Sequence, residues 1–203
     1  MPRQPLTDDE INHTRRRILR EAAMIVGKGG IAGLSMRTLA QRLGLTPGAL
    51  YRYFPSKQEM LLSYWEDALQ AVADRAGAID RNEPDAPSAI VKMLHTYSHF
   101  CLEDQDRFRL LFLEHDQEVG PEFFRRVAGY APYDLLLKRV SQAIREGYFR
   151  TEDPGLLTQT LWAGVHGAVT LLITVKELDL VEPEDLIMTT ITALMRGLSA
   201  KEI

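Results

Sequence analysis

The sequence predicts an all-α protein of about nine helices, with an N-terminal three-helix head, residues 1–54, and a helical body, residues 55–203. Apolar residues recur at helical spacing, helix-capping sequences precede the apolar segments, and no segment shows the convincing alternation of a β-strand. The chain has 203 residues, of which 45% are hydrophobic and 26% charged, so it can bury a core as a soluble globular protein.

Three helices are predicted in the head from their caps. Thr7-Asp8-Asp9-Glu10 is a capping box, and the helix that it begins should end in the glycine-rich stretch 27–30. Ser35 can cap a second, short helix, because its hydroxyl can accept a hydrogen bond from the first turn. Thr46-Pro47 predicts a third helix over 46–53, since proline suits the first position of a helix.

The body begins with another capping sequence, Ser56-Lys57-Gln58-Glu59, which predicts a longer helix reaching about Arg75. The polar, proline-containing stretch 77–89 is interpreted as a loop. Further helical segments are predicted from Ser88 to Glu103, from Phe108 to Glu114, from Gly120-Pro121, from Asp134 to Glu146, from Pro154 to Lys176 and from Pro183 to about Arg196.

Charge is distributed unevenly along the chain, whose formal net charge is −4. Residues 1–57 carry 10 Lys and Arg against 4 Asp and Glu, whereas residues 58–203 carry 14 against 24. A basic front on an acidic remainder favours a polyanion as the partner of the front alone. Chance clustering of charge is the alternative.

The chain is expected to be cytoplasmic and not to enter a membrane. Its one cysteine, Cys101, cannot form an internal disulfide, and the stretch 1–10 lacks the apolar segment of a signal peptide. The longest apolar run, 161–175, has 15 residues. A membrane span needs about 20 residues, so this run predicts a buried helix.

Ala40, Gly44 and Leu50 have the spacing of a helix-turn-helix. Ala40 is small enough for two helices to approach closely, and Gly44 can adopt the positive φ that ends the first of them. Leu50 can point from the second helix into the core. Coincidence is the alternative, but the three residues agree with the caps, the glycine turn and the local positive charge.

The outer side of helix 46–53 combines small, aromatic and basic residues, once Leu50 and Phe54 are assigned to the core. Small residues would let the backbone enter a DNA groove, where Arg52 can reach guanine O6 and N7. Tyrosine hydroxyls can donate hydrogen bonds to phosphates. Core packing is the alternative for the tyrosines, and simple solvation is the alternative for Arg52. The residues assigned to DNA are Thr46, Pro47, Gly48, Ala49, Tyr51, Arg52, Tyr53 and Lys57.

The stretch from Arg15 to Tyr64, which contains LSMRTLAQRLGLTPGALYRYFPSKQEML, closely resembles the head of TetR-family transcriptional regulators. By this resemblance, Ser35 adds a phosphate contact and Arg37 a possible base contact, and the residues assigned above fall on DNA-facing positions. Pro47 and Ala49 cannot hydrogen-bond to bases, so we expect the DNA to be read partly through its shape.

The same resemblance implies a homodimer, because TetR-like proteins usually pair through their last two long helices. Here these are the helices predicted over 154–176 and 183–196. Small residues on one face of the first helix would allow close crossing, although tight packing within one chain is the alternative. They are Thr160, Gly164, Gly167 and Ala168. Trp162…His166-Gly167 also resembles the Trp-x-x-x-His-Gly signature of one C-terminal subclass.

The resemblance further implies a pocket for an unknown small-molecule effector. The candidate lining residues are aromatic or apolar with a few polar groups, and core packing is the alternative for each of them. They are Tyr97, Phe100, Cys101, Phe108, Leu111, Phe112, Trp162 and His166. No cofactor is expected.

His95 and His99 lie four residues apart on a predicted helix, a spacing that can bind a metal. His115 and Glu103 or Glu114 could complete such a site. Without a cysteine pair or an HExxH sequence, no metal is expected, and two solvated or hydrogen-bonded histidines are the favoured interpretation.

These features predict a ligand-responsive, sequence-specific DNA-binding regulator. The favoured form is a repressor that binds a palindromic double-stranded DNA operator as a homodimer and is released by a small molecule. An enzyme is not expected, because the sequence has no Gly-rich phosphate loop, nucleophile elbow or metal-ligand cluster. An architectural DNA-binding protein without a ligand response is the alternative.

Overall fold

The structure is a computed structural model that describes residues 7–113, 131–150 and 152–200. Within these ranges the chain forms nine α-helices, which confirms the all-α prediction. They are α1 (Asp8–Gly29), α2 (Met36–Leu43), α3 (Pro47–Tyr51), α4 (Lys57–Asn82), α5 (Ala86–Glu103), α6 (Gln105–Phe108), α7 (Ala131–Arg145), α8 (Pro154–Thr174) and α9 (Pro183–Leu198). A 3₁₀ turn spans Ile31–Gly33 and a π-helical turn spans Arg109–Leu113. The segment predicted from Gly120-Pro121 lies outside the described residues.

The chain divides into two compact units. The first comprises Met1–Asp67 and Gln105–Ala128, and the second comprises Ala68–Asp104 and Gly129–Ile203. The boundary falls within α4, because Met60 and Leu61 near the start of that helix belong to the core of the first unit. That residues 1–54 bind DNA and residues 55–203 bind a ligand and form the dimer stays a prediction.

The first unit contains the three-helix head, and its helices begin at the predicted caps. The Thr7 hydroxyl accepts a hydrogen bond from the Glu10 amide at 3.3 Å, and the Glu10 carboxylate accepts one from the Thr7 amide at 2.8 Å. α1 ends at the predicted glycines, where Gly30 has φ 68°. Ile18, Ala22 and Ile25 are buried along α1, as their helical spacing predicts.

α4 is longer than its sequence suggests. It was expected to end near Arg75 with a loop over 77–89, but it runs to Asn82, so both predictions are wrong. Asp80 explains the extension, because its carboxylate accepts hydrogen bonds from Lys138 at 2.6 Å and from Arg139 Nε at 2.7 Å. These contacts with α7 hold the last turn of α4 helical.

The second unit is built from the rest of α4 with α5, α7, α8 and α9. α8 packs against α5, α7 and α9, and its residues Leu161, Val165 and Ile173 are fully buried. By length and composition α8 would also be able to cross a membrane. The core helices of soluble proteins meet the same criterion, so this is weak evidence for a span.

The predicted small-residue face of α8 is divided between two environments. Ala168 is buried, and a Cβ placed on Gly164 would lie 2.6 Å from Leu194 Cδ1 of α9, so these two positions face the interior of the unit. Thr160 and Gly167 are exposed. Part of this face therefore packs within the chain, the alternative left open by the sequence, and its role in a dimer stays a prediction.

Candidate nucleic-acid interface

The short helix α3 is capped at its start and anchored to the core of the head near its end. Thr46 caps it by accepting a hydrogen bond from the Ala49 amide at 3.2 Å, and Pro47 occupies its first turn. Leu50 and Phe54 are buried in the core, as predicted. The turn from α2 into α3 depends on Gly44, which adopts φ 67° and donates its amide to the carbonyls of Ala40 and Gln41. The predicted helix-turn-helix geometry is therefore present.

The outward side of α3 presents most of the residues that were assigned to DNA. Pro47, Gly48, Tyr51 and Arg52 are exposed, as is the cap residue Thr46. α3 ends at Tyr51, two residues earlier than predicted, although Arg52 still has helical torsion angles of φ −71° and ψ −25°. Small side chains at the start of α3 and larger polar ones at its end thus share one accessible surface.

Two of the assigned residues on this segment are less accessible. Ala49 is half-buried, and Tyr53 is half-buried against the head core. The carbonyl of Tyr53 accepts a hydrogen bond from Arg15 Nη1 at 2.6 Å, which fixes the backbone after α3. Tyr53 therefore contributes to packing, the alternative that the sequence left open.

Ser35 and Arg37 are both exposed at the start of α2. The Ser35 hydroxyl already accepts a hydrogen bond from the Thr38 amide at 3.0 Å. It also lies 2.8 Å from the Thr38 hydroxyl. A phosphate contact by Ser35 would have to coexist with its role as helix cap.

Lys57 is half-buried in the first turn of α4, and its ammonium donates a hydrogen bond to the carbonyl of Ile31 at 3.3 Å. Ser56 caps the same turn by accepting a hydrogen bond from the Glu59 amide. The predicted phosphate clamp would place an anion beside this helix N-terminus, where the helix dipole favours negative charge.

Two arginines of the head make contacts within the fold, a role that was not predicted for them. The Arg15 guanidinium lies 4.2 Å from the centroid of the Phe54 ring and donates a hydrogen bond to the Ser63 hydroxyl at 3.1 Å. Arg17 donates a hydrogen bond to the carbonyl of Leu43 at 3.1 Å. Such partners are tens of residues away along the chain, so no local sequence signal identifies them.

The second unit contains a polar pair among the predicted effector-binding residues. Tyr97 Oη lies 2.6 Å from His166 Nδ1, and the Trp162 ring lies 5.7 Å from the His166 ring. Burial raises the pKa of Tyr97 and lowers the pKa of His166. Both groups are therefore neutral near pH 7 and share a hydrogen bond without formal charge.

The remaining effector candidates are distributed over both units. Phe100 and Cys101 are buried in the second unit, on the same helix as Tyr97. Phe108, Leu111 and Phe112 belong to the first unit, where the rings of Phe108 and Phe112 lie 5.2 Å apart. Tyr133 was not among the predicted residues, and its ring meets that of Trp162 edge-on, with the ring centroids 6.4 Å apart.

His95 and His99 do face a carboxylate, but it is not one of those considered from the sequence. Both histidines contact Glu184 in the first turn of α9. Glu103 instead forms two hydrogen bonds with Arg75, and His115 and Glu114 lie outside the described residues. A contact between residues more than 80 positions apart leaves no trace in local sequence.

Two protein-family models match the chain. The model described as "Bacterial regulatory proteins, tetR family" matches residues 18–64, and the model described as "Tetracyclin repressor-like, C-terminal domain" matches residues 90–199. The first match includes the Gly44 turn and α3, and the second covers most of the second unit.

Curated relatives include a transcriptional repressor and a nucleoid occlusion factor. The chain is 35% identical over 79 residues to the HTH-type transcriptional repressor KstR of Rhodococcus jostii, a match over 39% of this chain and 35% of the repressor. It thus spans only about a third of that relative's length. It is also 26% identical over 136 residues to the nucleoid occlusion factor SlmA of Marinobacter nauticus, covering 67% of this chain and 69% of that protein.

The fold is also similar to solved structures. The TetR-family regulator PfmR from Thermus thermophilus superposes with a TM-score of 0.75 at 22% identity, over 90% of this chain and 98% of that one. At this identity the likeness concerns the fold alone. Since the second family model alone covers more than half of the chain and the first matches residues 18–64, the protein belongs to the TetR family of bacterial regulatory proteins.

Proposed function

We propose that the protein is a cytoplasmic, ligand-responsive transcriptional repressor that binds a palindromic operator as a homodimer and is released by a small molecule. Membership of the TetR family makes it a DNA-binding regulator. The exposed side of α3 supports sequence-specific binding. Tyr51 and Arg52 lie there next to small residues, while Leu50 anchors the helix in the core.

In this proposal α3 enters the major groove of DNA. Arg52 reaches a guanine edge, and Tyr51 donates a hydrogen bond to a phosphate. Because Gly48 and Ala49 are small, the backbone at the amino end of α3 can approach the base edges. Ser35, Arg37 and Lys57 add the flanking contacts that fix the register of the head on the duplex.

One head offers few contacts, so the proposed repressor is a dimer that reads two half-sites about 34–36 Å apart. Exposed small and apolar residues on the last two helices support a dimer seam there. On α8, Leu156 is 60% exposed and Gly167 has an open surface. On α9, an open depression of about 310 Å³ is lined by Met188, Thr189, Thr192, Ala193 and Arg196.

The proposed effector binds near Tyr97 and His166. Because that pair is neutral and lies among aromatic rings, it suits a largely apolar molecule with one uncharged hydrogen-bonding group. Binding need change DNA affinity by only about 1–3 kcal/mol to release the operator. α4 is the proposed link, since it contributes residues to both units.

A mobility-shift assay tests the proposed function directly. The full chain is mixed with the intergenic DNA next to its own gene, at fixed salt, with random DNA as competitor. Retention of that fragment against a large excess of random DNA is the expected result, and equal competition would contradict sequence-specific regulation.

An architectural role is the second candidate, and the match to a nucleoid occlusion factor over 67% of the chain favours keeping it. A protein that organises DNA without an effector would keep its affinity for DNA when small molecules occupy the second unit. Loss of the shifted complex on addition of a compound that raises the melting temperature of the protein favours the repressor.

A further inference from the structure

His95, His99 and Glu184 form a compact cluster on the second unit. His95 Nε2 lies 2.9 Å from one oxygen of the Glu184 carboxylate, and His99 Nε2 lies 2.9 Å from the other. The two imidazole centroids are 4.3 Å apart. One ligand atom from each residue lies within 4.8 Å of the others.

The cluster is assembled by two packed helices. His95 and His99 are one helical turn apart on α5, so both rings project from the same side of the helix. Glu184 stands in the first turn of α9, directly after Pro183, and α9 packs against α5. The three side chains therefore converge from two rigid elements.

The distances suit a small metal ion after a minor adjustment. Zn²⁺ binds imidazole nitrogen at about 2.0–2.1 Å and carboxylate oxygen at about 2.0–2.2 Å. Neighbouring ligands of a tetrahedral ion are then about 3.3 Å apart. The two histidine–carboxylate separations of 2.9 Å are slightly shorter than that value, and no two of the ligand atoms are more than 4.8 Å apart, so small rotations of the three side chains could complete the site.

The chemistry of the ligands selects the class of ion. Two imidazoles and one carboxylate suit Zn²⁺ and its neighbours among the transition metals, whereas Mg²⁺ and Ca²⁺ prefer oxygen ligands. The His95, His99 and Glu184 side chains are 35%, 49% and 55% exposed, which gives an ion a route from solvent and leaves room for water as a fourth ligand.

We propose that His95, His99 and Glu184 bind one Zn²⁺ ion per chain and thereby link α5 to the start of α9. The site is separate from the α3 surface and involves none of the residues assigned to DNA. A test of Zn²⁺ binding therefore does not depend on whether the protein binds an operator.

Titration of the purified full chain with ZnCl₂ tests the proposal, with any polyhistidine tag removed beforehand. Calorimetry, or competition with a coloured chelator, gives the number of bound ions and their affinity. The variants are His95→Gln, His99→Gln and Glu184→Gln. Matched controls are His13→Gln and Glu182→Gln, which change exposed residues outside the cluster. Circular dichroism verifies that each variant is folded.

The expected result is one saturable Zn²⁺ site in the wild type and in both controls. Each of the three cluster variants should bind Zn²⁺ at least about tenfold more weakly, since even changes outside the ligand shell have effects of that size. MgCl₂ should not compete. The proposal is overturned if the wild type shows no saturable binding, or if any one of the three cluster variants keeps the wild-type affinity. In that case the cluster is an exposed histidine–glutamate pairing, which contributes little to stability.

Discussion

Leu50 and Tyr51 are neighbours on α3 but lie in opposite environments: the Leu50 side chain is fully buried in the core of the head, while Tyr51 remains 49% exposed. A helix of five residues therefore has one side that fixes it to the protein and another that faces outward. Substitutions at these two positions should separate folding from DNA binding.

Leu50→Ala should destabilise the head by about 2–5 kcal/mol, because it removes a fully buried side chain and leaves a cavity. Urea unfolding followed by circular dichroism measures the change. Tyr51→Ala is the matched control and should alter the free energy of unfolding by less than about 0.5 kcal/mol. Equal destabilisation by both variants would mean that Tyr51 is part of the core.

Gly44→Ala should destabilise the helix-turn-helix by about 1–2 kcal/mol, because residue 44 needs φ 67° and a side chain is strained in that conformation. No atom would crowd the new Cβ, so the effect isolates backbone strain. Thermal unfolding compared with wild type gives the value. An unchanged melting temperature would show that the turn can adopt another conformation.

Gly48→Leu should not destabilise the head, since leucine favours a helix more than glycine does, but it should weaken operator binding. Residue 48 is exposed, and a Cβ placed there meets no atom of the protein within 4 Å, so a larger side chain can extend into solvent. In the complex, the larger residue would hold α3 away from the groove. Fluorescence anisotropy with labelled operator measures the affinity. Wild-type affinity in this variant would place the amino end of α3 outside the DNA contact.

Asp80→Asn should destabilise the second unit by about 1–3 kcal/mol at pH 7, because the carboxylate accepts hydrogen bonds from two cationic side chains. The hydrogen bond from Lys138, with the contribution of Arg139, lowers the pKa of Asp80 in the folded protein. The ionised Asp80 carboxylate therefore stabilises the fold fully above the pKa of an unfolded aspartate, about 3.9. This stabilisation is lost as the pH falls through the lower pKa that Asp80 has in the folded protein.

The measurement for Asp80 is urea unfolding of wild type and Asp80→Asn across that acidic range. The difference between the two proteins should be constant at neutral pH and should shrink as the pH falls below about 4. A difference that stays the same at low pH would assign the effect to packing and not to the ionised carboxylate.

Gly167→Arg should disrupt the proposed dimer while keeping each chain folded. Gly167 is open to solvent, whereas Gly164, one turn earlier on α8, packs against Leu194 of the same chain. Light scattering after gel filtration should then report about one chain of 23.0 kDa in place of two. Asp134→Arg, an exposed change on α7, is the control and should remain dimeric. A Gly167→Arg dimer would contradict a seam on this face.

Local signals in the sequence predict the beginnings of the three head helices well. Thr7 with Glu10, Ser35 and Thr46 each cap the helix that they were predicted to cap, because a cap depends on residues within one turn. The positive φ of Gly44 follows from the same kind of local requirement. These features define the outward position of α3.

Contacts between residues far apart in the chain account for the features that the local sequence did not predict. α4 continues past its predicted end because Asp80 pairs with Lys138 and Arg139, which lie almost 60 positions further along the chain. Glu184 meets His95 over a separation of 89 residues. A partner at such a distance is unknown until the helices are packed, so propensity and capping cannot indicate it.

The exposed side of α3 is the surface proposed to contact the operator, and operator binding by Tyr51→Ala and Arg52→Ala tests that contact. Fluorescence anisotropy at fixed salt compares both variants with wild type and with Arg145→Ala, which removes an exposed arginine from α7. Each α3 variant should lose about 1–3 kcal/mol of binding free energy, while its helicity and dimer mass stay unchanged and Arg145→Ala binds normally. Wild-type affinity in both α3 variants would show that this surface does not contact the operator.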